Sequence, residues 1–155
     1  MQLLAQTSPT PAPAEVMAIL VGIAVGLAIL LIPTIFFLLT AQKALARCSP
    51  ESRTLSPGLV WLLLVPLLNL VWIFIVVINV SKSLGNEFRR RGIPESPAPG
   101  QGVGLAWAIC AVLSWIPVLG GFLGLAALVC WIIYWVKVAG CSSRLAVPMA
   151  APQVG

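Results

Sequence analysis

TLSPGLVWLLLVPLLNLVWIFIVVINVS, residues 54–81, is an uncharged run of 28 residues broken near its middle by Pro66-Leu67-Leu68-Asn69. One membrane crossing needs roughly 20 apolar residues, so its length allows one crossing with some to spare. Two paths are open. In the first, Leu59 to Val80 is a single kinked helix, with neighbouring helices taking up the carbonyl freed by Pro66 and with Asn69 bonding to a partner helix. In the second, Leu59 to Val65 dips in, Pro66 to Asn69 turns, and the chain returns to the side it came from.

The flanking charges bear on that choice. Four strict crossings place Lys43, Arg47 and Arg53 on one face and Lys82, Arg89, Arg90, Arg91, Lys137 and Arg144 on the other, whereas a returning middle segment gathers all nine on one face. The positive-inside bias then orients the chain with its amino terminus outside and its loops and carboxyl terminus cytoplasmic. Against this, non-helical backbone at membrane depth needs shielding by protein, which four segments supply sparingly. Both paths remain expectations.

Two further uncharged stretches flank this one: Val16 to Gln42, 27 residues, and Ser96 to Val136, 41 residues. The longer holds two short helices folded at Pro117-Val118-Leu119-Gly120-Gly121, because proline removes a backbone donor and the glycine pair lets the chain reverse. Residues 1–15 form a Pro-rich lead expected to be extended or disordered, 16–145 a single helical membrane domain, and 146–155 a flexible tail. The lead has no Lys or Arg and the first apolar run is too long for a signal peptide, so that run is expected to stay attached.

Composition agrees with this reading. Of 155 residues, 60% are hydrophobic and 8% charged, with a net charge of +5, and the mean hydropathy is +1.06. Ordinary globular chains are about 25% charged, so a water-soluble core and shell is excluded. The expected fold is an all-α integral membrane protein of three or four transmembrane helices ending in a helical hairpin. With no His and no acid in the apolar runs, neither a catalytic set nor a metal site is expected, and no cofactor is evident. The four cysteines form no CxxC pair and are read as small hydrophobes.

The remaining signals concern packing, polar breaks and lipid. Ala14, Ala18, Gly22 and Gly26 recur every four residues, and Gly120 and Gly124 repeat the spacing, as in helix-packing stripes. Pro66, Asn69, Asn79, Pro117 and Gly121 are the polar groups and breaks at depth. Lys82, Arg89, Arg90 and Arg91 are candidates for anionic lipid headgroups, although a stop signal for topology predicts the same placement. Gly58-Leu59-Val60-Trp61, Pro66 and Trp72-Ile73-Phe74-Ile75 are echoed by Gly104-Leu105-Ala106-Trp107, Pro117 and Trp131-Ile132-Ile133-Tyr134. Apolar alphabets make such echoes by chance, so coincidence or old duplication ranks ahead of paired transporter breaks.

Over roughly residues 43–145, the stretches Ser56 to Trp61, Pro66 to Leu70, Lys82 to Phe88 and Cys130 to Lys137 resemble small bacterial multipass membrane proteins without assigned activity. The resemblance implies a bacterial inner-membrane location and brings no catalytic residues. The expected function is that of a non-enzymatic accessory or assembly subunit, or a small homo-oligomer, whose partners are membrane lipids and other membrane subunits or itself, with no nucleic acid. The alternative is a transporter or channel component using the breaks at Pro66/Asn69 and Pro117/Gly121.

Overall fold

The computed structural model describes residues 12–116, 118 and 120–147. Helix α1 covers Pro13–Arg47, a 3-10 helix Pro57–Leu64, α2 Pro66–Arg90, α3 Gln101–Leu113 and α4 Gly120–Leu145, with no strand among the described residues. Three of these helices, α1, α2 and α4, are long and apolar enough to cross a membrane. The chain is thus an all-α membrane protein. The Pro-rich lead through Pro11, most of the tail, Pro117 and Leu119 lie outside the described residues.

The chain divides into two compact units, Met1–Phe36 and Phe37–Gly155, and the boundary falls inside α1 rather than at a linker. In the first unit, α1 starts within the Pro-rich lead. Pro13 occupies the first turn, where its missing N–H costs nothing, and the Glu15 carboxylate reaches back to accept the Ala12 N–H at 3.2 Å, half of a capping box. Every described side chain from 12 to 32 is exposed. An all-round apolar helix of this kind suits lipid, not water.

In the second unit the question posed by Pro66 is answered. Hydrogen bonds nest about that proline: Trp72 Nε1 donates to Leu59 O at 2.9 Å, Thr54 Oγ1 to Asn79 O at 3.0 Å, and the Ser49 N–H to Glu87 Oε2 at 3.0 Å. Only an antiparallel hairpin brings those pairs together, so the 3-10 helix and α2 are its two arms and the returning path is the observed one. At about 2 Å per residue the short arm is roughly 16 Å long, well under the hydrocarbon thickness of about 30 Å. Proline at the first position of α2 is what allows the reversal to restart directly as helix.

The second hairpin repeats the plan, with α3 as the short arm and α4 as the long one. A Cβ on Gly120 would sit 2.6 Å from Ser114 O, which marks the tight turn. The two hairpins are joined at a glycine. Gly92, at φ +65°, ends α2 in a Schellman motif, with Ile93 N–H donating to Phe88 O at 2.9 Å and Gly92 N–H to Arg89 O at 3.1 Å, as a left-handed residue permits. The echo noted in the sequence therefore falls on two short-long hairpins, although its glycines differ: Gly58 faces open space while Gly104 is crowded.

The core of this unit is aromatic and small-residue packing. Phe37 lies against Trp107, Trp131, Tyr134 and Trp135 with ring centroids 5.4–6.3 Å apart. Trp107 stacks on Tyr134 at 6.0 Å, an arrangement that adds to simple area burial. Gly104 makes the close approach possible, since a Cβ there would meet Val77 Cγ1 at 2.5 Å and the Tyr134 ring at 2.9 Å. With Gly100 and fully buried Ala108 it forms a small-xxx-small stripe facing α2 and α4.

Candidate functional site

Three chain segments converge where both hairpins begin and end: the C-terminal turns of α1 with the segment to Thr54, the C-terminal turns of α2, and those of α4. The uncharged runs end at Gln42, Ser81 and Val136, so these turns carry charged residues such as Arg47, Glu87, Arg91 and Arg144. Helix C-termini expose carbonyls without partners, and here arginines supply the donors. Arg47 Nη1 donates to Ser142 O at 2.7 Å and to Ser142 Oγ at 2.8 Å. Arg91 donates to Leu145 O at 3.0 Å, Val147 O at 3.3 Å and Arg47 O at 3.5 Å. One guanidinium thus ties the ends of α1 and α4 to α2, in the orientation the helix dipoles favour.

Glu87 is the hub. Only 3% exposed, its carboxylate accepts the Ser49 N–H at 3.0 Å, Ser49 Oγ at 2.7 Å and Arg91 Nε at 2.8 Å. Around it, Thr54 N–H donates to Ser83 Oγ at 3.0 Å and Arg53 Nη2 to Cys48 O at 3.0 Å. A buried acid held by three hydrogen bonds is placed as a structural anchor, since a proton-transfer group must reach a substrate proton. Cys48 points into the same region, and burial pushes its thiol up to about 11, so it is a poor nucleophile near neutrality. The arrangement binds chain ends together.

Of the residues read as candidates from sequence, the four cations expected to meet lipid headgroups separate. Lys82 and Arg89 are exposed, Arg90 sits 3.4 Å from Glu51, and Arg91 is engaged as described. Ala14, Ala18, Gly22 and Gly26 are all exposed, and nothing lies within 4 Å of a Cβ built on Gly22, Gly26, Gly121 or Gly124. Gly120 serves the turn. The tight glycines are Gly104 and Gly85; a Cβ on the latter would run into the Pro97 carbonyl. The Gly100-Gly104-Ala108 spacing is the signal that could have found the first.

The polar groups at depth are mostly absorbed locally. Asn79 Nδ2 donates to Ile75 O and Ser114 Oγ to Ala111 O, each at 2.7 Å, the back-bonding expected of short polar side chains in helices. Asn69 differs from the expectation. Its Oδ1, which can only accept, is buried without a hydrogen-bond partner among the described residues. The backbone of the same residue is engaged, its N–H closing the first turn of α2 on Val65 O at 2.8 Å. Pro117, the corresponding break of the second hairpin, lies outside the described residues. No family model, curated protein or solved structure matches this chain.

Proposed function

We propose that this chain is a non-enzymatic accessory or assembly subunit of the bacterial inner membrane, or a small homo-oligomer, that works through helix contacts. The observation that carries the reading is the pair Gly22 and Gly26 on α1. Glycine weakens a helix by roughly 1 kcal/mol against alanine, and nothing within 4 Å uses the space these two leave. A backbone from another chain gains from that space. The charge placement favours a cytoplasmic carboxyl terminus and an amino terminus on the opposite side. Purification in mild detergent, with identification of co-migrating subunits on native gels, tests the proposal. A lone monomer under all mild conditions refutes it.

A second reading, a transporter or channel component, draws on one observation: the unpartnered Asn69 oxygen beside the Pro66 break. Broken helices and free acceptors at depth are how secondary transporters hold solutes and ions. Solute flux in liposomes that disappears in Asn69→Leu, with folding retained, would favour it.

A further inference from the structure

A cavity of about 290 Å³ opens between α4 and the segment joining the two hairpins. Its α4 wall is one helix face, Lys137, Gly140 and Arg144, at three- and four-residue spacing; Glu95, Ser96 and Gly100 stand opposite. Lys137 directly follows the uncharged stretch that ends at Val136, and Trp131 and Trp135 lie in the turns before it. That order places the cavity where hydrocarbon gives way to headgroups.

The charges are arranged for an anion. The acid in the wall, Glu95, is already engaged, its Oε1 accepting the Ser96 N–H at 3.3 Å and its Oε2 the Arg144 Nη1. The Ser96 N–H and the Arg144 guanidinium hold its carboxyl below the usual range. Arg144 keeps further donors, since a guanidinium has five N–H groups and only Nη1 is used by Glu95. Its plane is held by Phe88, 5.1 Å from the ring centroid, a cation-π contact that fixes direction. Lys137 has no salt-bridge partner among the described residues. One acid against two cations leaves the wall with one net positive charge.

We propose that this cavity binds a phosphate group, with Lys137 and Arg144 as its ligands. The volume is at the lower end of the range for ligand pockets, about 300–1,000 Å³, which fits a phosphate with a short polar substituent. Basic pockets at the cytoplasmic ends of membrane helices take anionic lipid headgroups in this way, and a small soluble phosphate presents the same oxygens. The site is independent of the association reading and differs from the Arg89-Arg90-Arg91 triplet, where Arg90 and Arg91 face Glu51 and Glu87.

Full-length protein in detergent is titrated with phosphatidylglycerol and with phosphatidylcholine under native mass spectrometry, and delipidated protein with inorganic phosphate by 31P NMR. The variants are Lys137→Gln, Gly140→Leu, which fills a position with nothing within 4 Å, Glu95→Gln, and Lys43→Gln, at an exposed cation, as control. Lys137→Gln weakens binding roughly fivefold, the contribution of one cation near the surface. Gly140→Leu weakens it at least as much, Glu95→Gln tightens it, and Lys43→Gln leaves it unchanged. That pattern with phosphatidylglycerol identifies a lipid headgroup, and with inorganic phosphate a free phosphate; both support the proposal. It is overturned if neither ligand shows the pattern, if phosphatidylcholine binds equally well, or if Glu95→Gln weakens binding.

Discussion

Replacing Glu87 with alanine removes the acceptor for three hydrogen bonds, two from Ser49 and one from Arg91, and leaves a cation that is only 15% exposed without its counter-charge. Truncating one partner of a buried ion pair costs about 3–5 kcal/mol. Arg91 keeps three carbonyl partners, which solvate part of the orphaned charge, so the expected loss lies at the lower end, about 3 kcal/mol or roughly 150-fold in the folding equilibrium. Glu51→Ala is the internal comparison. Glu51 faces Arg90 at 3.4 Å but is 79% exposed, and exposed pairs contribute below about 1 kcal/mol. Equilibrium unfolding in mixed micelles of increasing SDS fraction, followed by tryptophan fluorescence, measures both. Adding Arg91→Met closes a double-mutant cycle that isolates the pair from the Ser49 bonds. A Glu87→Ala loss no greater than that of Glu51→Ala would refute the view that this network fastens the ends of the hairpins.

Other outcomes follow from the packing and the burial. Gly104→Ala drives a methyl to 2.5 Å from Val77 Cγ1 and should cost about 1–3 kcal/mol as overpacking. Gly22→Leu should leave that unfolding midpoint in place while lowering the assembled fraction on native gels, more than Leu27→Ala does. Asn69→Leu, which removes an oxygen without a partner, should preserve or raise stability in detergent; a loss would reveal a hydrogen bond to this side chain. The Cys48 thiol is held near 11 in the folded chain against about 8.5 in the unfolded one. The unfolded state therefore releases its proton first, and stability falls as pH rises from about 9 towards 11; Cys48→Ala should flatten that fall in pH-dependent melts. Cysteines engineered at Glu51 and Arg89, after replacement of the native four, should label from the same membrane side.

The helical membrane fold and the C-terminal hairpin were legible because apolar run length and charge placement are linear properties of the chain. The path through Pro66 was not, because a proline break allows either a kink or a turn, and contacts such as Ser49 to Glu87, 38 residues apart, decide between them. Which glycines pack within the chain was not legible for a related reason. The four-residue spacing at Gly22 and Gly26 is the same as that at Gly100 and Gly104, and only the partner helix distinguishes an open stripe from a filled one. Glu87 gave no local sign of burial, since a lone acid in a basic, polar stretch reads as a solvated side chain until Arg91 and Ser49 close around it.

Both hairpins leave from and return to one end, and the stretches of sequence between their arms, 65 and 114–119, carry no charge. With the cytoplasmic carboxyl terminus proposed above, no charged loop has to pass through the bilayer once α1 is in place. Translocating an arginine-bearing loop would expose its guanidinium groups to hydrocarbon at several kcal/mol each, whereas a hairpin entering tip first carries only uncharged side chains into that medium. Each hairpin can insert as a wedge from the side that holds its two ends, pulled in by its own apolar surface.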